Sequence, residues 1–268
     1  MIEMFSYAFI QRAFITGLLV SLCASLLGVP LVLRRYSMIG DGLSHVGFGA
    51  LAAASVFSLA PMAFTIPVVI AAAVLLLRLN EKSRISGDSA VALAASSSLA
   101  LGIVLISYVR GANTDIDNFL FGSILSVSAG DCVLSVVLSL IVLACCVLLY
   151  PRLYALTFDP AFARSAGVRV DRYTTLIAIL SAVTIVLGMR MLGSLLISAL
   201  IIFPCMSAMR FAKSYRAVML ISAADSIVCF ILGFLSSYWL GTPAGASIVV
   251  VHLAAFLILA GASRLRRT

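Results

Sequence analysis

Long apolar runs separated by short Arg-rich segments extend along almost the whole sequence. A helix that crosses a bilayer needs roughly 20 apolar residues, and nine runs reach or approach that length. They are residues 13–33, 39–59, 62–79, 89–109, 131–150, 173–189, 192–209, 217–239 and 244–262. Because nothing between the runs is long enough for a soluble domain, the sequence predicts one all-α domain over residues 1–268, a polytopic membrane bundle of about nine helices.

The low content of charged residues supports a location in the membrane. Charged residues make up 10% of the chain and hydrophobic residues 63%, against about 25% and 45–50% in soluble domains. The stretch from Phe5 to Leu33 lacks a basic n-region and is followed by Arg34 and Arg35. This order is typical of a retained membrane anchor and not of a cleaved signal peptide.

The distribution of positive charge predicts the orientation of the chain. With nine spans, most of the 18 Lys and Arg residues fall on the side that contains the Arg34–Arg35 turn. The positive-inside rule makes that side cytoplasmic, which places the N-terminus outside and the C-terminus inside. The turn at residues 189–193 is very short, so eight spans with partly re-entrant segments are the alternative. Since the cations lie between apolar runs, the net charge of +8 does not indicate nucleic-acid binding.

Asp41 and His45 begin the second apolar run and are the strongest candidates for a functional site. They are four residues apart, so a helix places them on one face. Ionisable groups are costly inside a bilayer, and an intramembrane pair of this kind is a functional-site hypothesis by default. A carboxylate and an imidazole together suit a divalent cation. The alternatives are that Asp41 caps the helix and that His45 makes a structural hydrogen bond.

Asp225 and His252, in the eighth and ninth runs, form a weaker pair of candidates. A hydrogen bond between adjacent helices is one interpretation, and a second site on a transport pathway is the other. The six Cys residues show no C-x-x-C spacing and are interpreted as small buried thiols. Asp115 and Asp117 are expected in an outer loop, followed by an amphiphilic surface helix within residues 118–130.

The polar segment at residues 153–172 contains a short capped helix in its centre. Asp159 suits the N-cap, Pro160 the first helical position and Gly167 the C-terminal stop. The segment is too short to span a membrane and lies on the predicted cytoplasmic side. It is either a surface loop helix or a docking helix for a cytoplasmic partner.

Several sequence motifs with known chemistry are not found. No G-x-x-x-x-G-K-[ST] loop is present, so the chain cannot use ATP alone. No H-E-x-x-H motif is present, which disfavours an intramembrane metalloenzyme. We therefore expect a transport subunit that is not itself an enzyme, although composition alone does not distinguish it from a structural membrane subunit.

Five stretches in order along the chain resemble the permeases of bacterial zinc, manganese and iron ABC importers, the metal ABC-3 family. The most distinctive is R-R-x-S-x-I-G-D-x-L-S-H, which starts at Arg34 and ends at His45. The others begin at Asn118, Phe158, Gly193 and Thr242. Two departures are Gly42 and Cys205, which stand where Ala is common. Cys205 leaves open whether a soft ligand has entered the pathway.

The resemblance implies a type II ABC importer-like fold in the bacterial inner membrane. It also implies an assembly with a second permease copy, two cytoplasmic ATPase subunits and an extracytoplasmic metal-binding protein. In this family the Asp and His of D-x-L-S-H line the pathway, which corresponds to Asp41 and His45. The segment at residues 158–168 is similar to the coupling helix, with the contact residues Phe158, Asp159, Pro160, Phe162, Arg164 and Gly167.

The mechanism that follows is transit of a divalent ion between two permease copies. Each copy would supply one carboxylate and one imidazole, and four such ligands suit tetrahedral Zn²⁺, whereas Mn²⁺ would need further oxygens. No permanently bound cofactor is expected, because the metal is cargo. The competing functions are a secondary ion-coupled metal transporter and an ABC permease for a chelate or vitamin. The ligands alone do not separate Zn²⁺, Mn²⁺ and Fe²⁺.

Overall fold

A computed structural model describes residues 7–82, 87–108, 122, 128–194 and 196–265 of the chain. These residues form helices and connecting turns, with no strand among them. The helices are α1 Ala8–Leu33, α2 Ile39–Val56, α3 Pro61–Lys82, α4 Gly87–Ser107, α5 Ala129–Leu148, α6 Tyr150–Phe158, α7 Pro160–Ser165, α8 Val170–Leu192, α9 Ile197–Ala208, α10 Tyr215–Leu240 and α11 Ala244–Leu265. The all-α prediction is confirmed for the described part of the chain.

Seven of the described helices are long and apolar enough to cross a membrane, namely α1, α3, α4, α5, α8, α10 and α11. The sequence predicted nine crossings, and the other two fall on α2 and α9. With 12 residues, α9 is about 18 Å long, well short of a hydrocarbon core of about 30 Å. The α2 helix has 18 residues and carries Asp41 and His45. The count of nine is therefore not confirmed.

The interior of the bundle is formed largely by α1, α2 and α8. Most of their residues are buried, and they contribute heavily to the largest apolar core. In contrast, α4, α5 and α11 each have a mostly exposed apolar face, which includes Leu101, Leu148 and Ile258. Exposed apolar side chains over whole helices are typical of surfaces that contact lipid or another subunit.

The turn between α1 and α2 sets the position of Asp41. After α1, Arg35 adopts φ 63°, and the Tyr36 N–H donates to the Leu31 carbonyl at 2.8 Å. This is a Schellman motif in which Arg occupies the left-handed position that usually favours Gly. The tight turn lets α2 start at Ile39 and places Asp41 in its first turn.

Gly28 in α1 allows the closest approach between α1 and α9. A Cβ atom at this position would overlap the main-chain carbonyl oxygen of Ile201, which cannot rotate away as a side chain would. By contrast, Gly261 in α11 has no atom within 4 Å of its hypothetical Cβ. The two glycines therefore form a matched pair for measuring the effect of this contact.

Substitution of Gly28 by Ala is expected to destabilise the bundle by about 1–3 kcal/mol, the usual cost of overpacking a tight core. The apparent Tm of the detergent-solubilised chain, followed by size-exclusion recovery after heating, is the measurement. Gly261→Ala is the control and should be at least as stable as the wild type, since Ala favours a helix over Gly and meets no neighbour here. Equal Tm values for the two variants would contradict the expected effect.

Some sequence predictions concern residues outside the described ranges. They include Asp115, Asp117 and most of the amphiphilic stretch at residues 118–130. The end of that stretch is described, and there Ser128 caps α5 by accepting a hydrogen bond from the Asp131 N–H. Asp131 also pairs with Arg190 at 2.8 Å, so the start of α5 lies beside the end of α8. Both residues were predicted on the same side of the membrane.

Candidate functional site

The first two turns of α2 hold Asp41 and His45. The N-cap of α2 is Met38 and makes no side-chain cap, so the alternative in which Asp41 caps the helix is wrong. Asp41 lies instead within the first turn, where the helix dipole favours a negative charge. His45 follows one turn later on the same face, as its spacing predicted.

The two side chains of this pair face each other without a hydrogen bond. His45 Nε2 and Asp41 Oδ1 are 3.8 Å apart, beyond hydrogen-bonding distance. The His45 side chain is 11% exposed and the Asp41 side chain 36% exposed. The buried His45 Nδ1 has no hydrogen-bond partner among the described residues, so the structural hydrogen bond considered for His45 is not seen at this atom.

Glycines on α2 bring neighbouring helices close to the pair. A Cβ on Gly42 would overlap the Val91 side chain of α4, and one on Gly49 would lie 2.8 Å from the Ser98 carbonyl oxygen. Close approach of this kind is the usual role of small residues between membrane helices. Because α2 packs against α3, α4, α8 and α9, the pair lies on a helix held within the bundle.

Asp225 and His252 also come together, and Cys229 joins them. His252 Nδ1 lies 3.8 Å from Asp225 Oδ2, and Cys229 Sγ lies 3.7 Å from Asp225 Oδ1. One possible ligand atom from each of the three residues lies within 4.8 Å of the other two. The hydrogen bond between Asp225 and His252 that one interpretation required is not formed at this distance.

Cys229 was missed as a candidate because it was interpreted as a small buried thiol, and Cys205 was the cysteine singled out as a pathway candidate. A signal was available in the sequence. Cys229 follows Asp225 by four residues, the same spacing that pairs Asp41 with His45.

Cys205 lies in a different environment. It is buried in an apolar cluster with Val29, Ala208 and Val218, and its thiol contacts the Met209 sulfur at 3.7 Å. It does not belong to the three-residue group formed by Asp225, Cys229 and His252. A role for Cys205 on the pathway stays a prediction.

The segment at residues 158–168 forms the short capped helix that its sequence predicted. The Asp159 carboxylate accepts a hydrogen bond from the Phe162 N–H at 2.8 Å, and Gly167 has φ +82° just after α7. Ala163 is buried against the core, while Phe158, Phe162 and the Arg164 side chain are exposed. The structure thus anchors one face of α7 through Ala163 and leaves the Phe162 side chain 66% exposed.

The sequence did not predict α6, the helix immediately before this segment. Its side chains Tyr150, Tyr154 and Phe158 pack against Tyr215 at the start of α10, with ring centroids 5.5–5.9 Å apart. The preceding span ends at Leu148, close to the predicted end at residue 150, and Pro151 lies in the first turn of α6. The contacts join the α6–α7 segment to α10.

Comparison with known proteins identifies the family. The model of the ABC 3 transport family matches residues 6–262. The chain belongs to the ABC 3 transport family. A probable metal transport system membrane protein of Thermotoga maritima is 34% identical over 95% of this chain and 90% of its own length. The manganese import system permease protein ScaB of Streptococcus parasanguinis is 32% identical over 94% of this chain and 90% of its length.

A solved structure of this family has a closely similar fold. The PsaBC structure from Streptococcus pneumoniae, in complex with Fab, superposes with a TM-score of 0.84 at 30% identity. The match covers 94% of this chain and 91% of the other. The agreement shows that the chain and this structure share one overall fold.

Proposed function

We propose that this chain is the membrane permease of an ABC importer for a divalent transition metal ion, with ATP hydrolysed by a separate subunit. The observation that carries the proposal is the Asp41–His45 pair, 3.8 Å apart on α2 of an ABC 3 transport family chain. The relatives named above as metal or manganese transport proteins support the same substrate class. The transported ion is Zn²⁺, Mn²⁺ or Fe²⁺.

The separation of the two side chains fits shared coordination of one ion. Ligands about 2.0–2.2 Å from a tetrahedral Zn²⁺ are about 3.3–3.6 Å from each other. The observed 3.8 Å needs only a small movement to reach that range. The partly exposed carboxylate of Asp41 leaves one side of the pair open. A second permease copy facing this side would complete a site with two oxygens and two nitrogens.

Charge balance explains why the site would combine two carboxylates. An isolated divalent ion in the hydrocarbon layer carries a large desolvation cost. Two Asp41 carboxylates, one from each copy, would offset the charge of the ion, and the imidazoles would add neutral ligands. A transit site must also release its ion, so we expect weaker binding than in a structural zinc site.

The proposed topology has the N-terminus outside and the C-terminus in the cytoplasm of a bacterial inner-membrane protein. The clustering of Lys and Arg on one side of the apolar runs supports it. In this arrangement the apolar runs that contain α2 and α9 complete the nine spans of a type II importer-like permease, with the α9 helix itself forming only about 18 Å of its span. A helix buried in protein does not need a fully apolar surface.

The proposed assembly contains two permease copies, two cytoplasmic ATPases and an extracytoplasmic metal-binding protein. The α7 helix would be the coupling element, because it presents Phe162 while Ala163 holds it to the core. The aromatic contacts between α6 and Tyr215 would pass a movement of α7 to α10. We expect the ATPases to bring the two halves together and apart through this route.

Dependence on the ATPase distinguishes this function from a secondary transporter. Cells that express the permease with its ATPase should accumulate the metal, and cells with an ATPase lacking its phosphate-binding Lys should not. The measurement is initial uptake of radioactive Mn²⁺ and Zn²⁺ at equal permease levels. Uptake that persists with the inactive ATPase and follows an ion gradient would contradict the proposal.

A further inference from the structure

We propose that Asp225, Cys229 and His252 form a second metal site, contained within a single permease copy and suited to Zn²⁺ in preference to Mn²⁺. This site goes beyond the proposed transport function, which uses Asp41 and His45 from two copies. It consists of two residues on α10 and one on α11. Its ligands come from helices that are already packed together in one chain.

The register of α10 against α11 brings the three residues to one level. These helices run antiparallel, and a Cβ on Gly233 would overlap the main chain of Ile248. Cys229 lies four residues before Gly233, and His252 lies four residues after Ile248, one helical turn in each case. The close contact at Gly233 therefore holds Cys229 and His252 opposite each other, one turn away.

Three polar atoms of this cluster are buried without a hydrogen-bond partner among the described residues, while Asp225 Oδ1 accepts a hydrogen bond from the Cys229 thiol. The His252 side chain is fully buried and that of Asp225 is 10% exposed. Within the described chain, both ring nitrogens of His252 and the Oδ2 atom of Asp225 lack hydrogen-bond partners. Buried polar groups are almost always satisfied in folded proteins, and an orphan group suggests an ion or ligand. In this cluster both His252 and Asp225 have buried atoms that lack a hydrogen-bond partner.

The distances suit a small tetrahedral ion. Sulfur, nitrogen and oxygen ligands at about 2.0–2.3 Å from Zn²⁺ are about 3.3–3.8 Å apart. Asp225 Oδ2 lies 3.8 Å from His252 Nδ1, and Asp225 Oδ1 lies 3.7 Å from Cys229 Sγ. With one ligand atom from each residue, all three atoms lie within 4.8 Å of one another, so a side-chain movement of about 1 Å brings them into the range for one ion. Three protein ligands leave a fourth position for water, as in other zinc sites that are not purely structural.

The donor set also determines the class of ion. A coordinating thiol loses its proton, so the Cys229 thiolate and the Asp225 carboxylate together balance a divalent charge while His252 stays neutral. The assembled site is then electrically neutral, which suits its position in the middle of two apolar helices. Thiolate is a soft ligand that selects Zn²⁺ over the harder Mn²⁺.

The site is separate from the proposed transit pair. The α10 helix packs against α1, α9 and α11, whereas α2 packs against α3, α4, α8 and α9. Substitution of Asp41 and His45 should therefore leave the Asp225–Cys229–His252 site intact. This allows each site to be tested in a background that lacks the other.

The background for the test is the full-length chain with Asp41→Asn and His45→Gln, which lacks the transit pair. The test measures the metal bound to this chain after purification. Equilibrium dialysis is expected to give one tight Zn²⁺ per chain, and Co²⁺ in its place should show thiolate-to-cobalt charge-transfer absorption. In the same background, Cys229→Ser should abolish this absorption and weaken Zn²⁺ binding by more than about 10-fold, since even an outer-shell partner of a metal contributes that much. Excess Mn²⁺ should not displace the bound Zn²⁺.

Cys205→Ser in the same background is the matched control, because it removes a buried thiol from another helix. It should retain both the bound Zn²⁺ and the absorption. If Cys229→Ser is not recovered as monodisperse protein, His252→Gln gives the same binding readout. A background chain that binds no tight Zn²⁺, or a Cys229→Ser chain that behaves like Cys205→Ser, would overturn the proposal. Neither readout depends on uptake or on the ATPase, so failure of the transport function would be a separate result.

Discussion

Replacement of Asp41 or His45 by Ala is expected to abolish metal uptake while the permease still assembles with its ATPase. Loss of Asp41 removes both negative charges from a site shared by two copies, and loss of His45 removes both nitrogens. An ion crossing hydrocarbon without these groups loses several kcal/mol of stabilisation. Because 1.4 kcal/mol is a factor of ten, we expect the initial rate to fall by more than about 100-fold. The initial rate is measured as uptake of radioactive Mn²⁺ and Zn²⁺ into cells.

Ser55→Ala is the control on the same helix. The Ser55 hydroxyl donates only to the Leu51 carbonyl of its own helix, at 3.0 Å, and lies more than two turns beyond His45. This variant should transport at the wild-type rate. Co-purification of the ATPase with each variant establishes that assembly is unchanged. Normal uptake by both Asp41→Ala and His45→Ala would remove the α2 pair as the transit site.

The α2 pair could be predicted because its geometry is local. Residues four apart on a helix share a face whatever the surrounding fold. The cap of α7 could be predicted for the same reason, since Asp159, Pro160 and Gly167 each act within one or two turns. The structure confirms both local arrangements. Their proposed roles depend on subunits beyond this chain.

The lengths of α9 and α6 could not be read from apolar content. The seventh apolar run, at residues 192–209, looks long enough to cross, but Gly193 adopts φ 91° and the helix begins only at Ile197. The break expected at the end of the fifth run is present between Leu148 and Tyr150. Because Pro is also compatible with the first turn of a helix, the sequence did not predict that α6 follows this break. Hydropathy detects burial in an apolar medium, but it does not locate a turn within a buried segment.

The Asp225–Cys229–His252 cluster depends on information that one helix does not contain. The four-residue spacing of Asp225 and Cys229 is visible in the sequence, but the approach of His252 depends on the register between α10 and α11. That register is set where Gly233 meets the main chain of Ile248. The sequence offered Asp225 and His252 as a candidate pair, but their approach and the addition of Cys229 follow from this packing.

Replacement of Phe162 by Ala is expected to uncouple the permease from its ATPase. Phe162 is 66% exposed on α7, and a large exposed aromatic on an anchored helix is the usual form of an interface anchor. Truncation of such an anchor costs about 2 kcal/mol or more, which corresponds to at least about 30-fold weaker association. The fraction of ATPase that co-purifies with the permease and the initial rate of metal uptake should both fall.

Phe57→Ala is the matched control for this variant. Phe57 is 67% exposed just after α2, which places it on the opposite side of the membrane in the proposed topology. Loss of an exposed aromatic ring changes the apolar surface of the two variants to the same extent, so a difference between them reports docking at α7. Asp159→Ala should give an intermediate loss, because it removes a helix cap that contributes about 1 kcal/mol and leaves Phe162 in place. If Phe162→Ala and Phe57→Ala retained the ATPase equally well, α7 would not be the coupling helix.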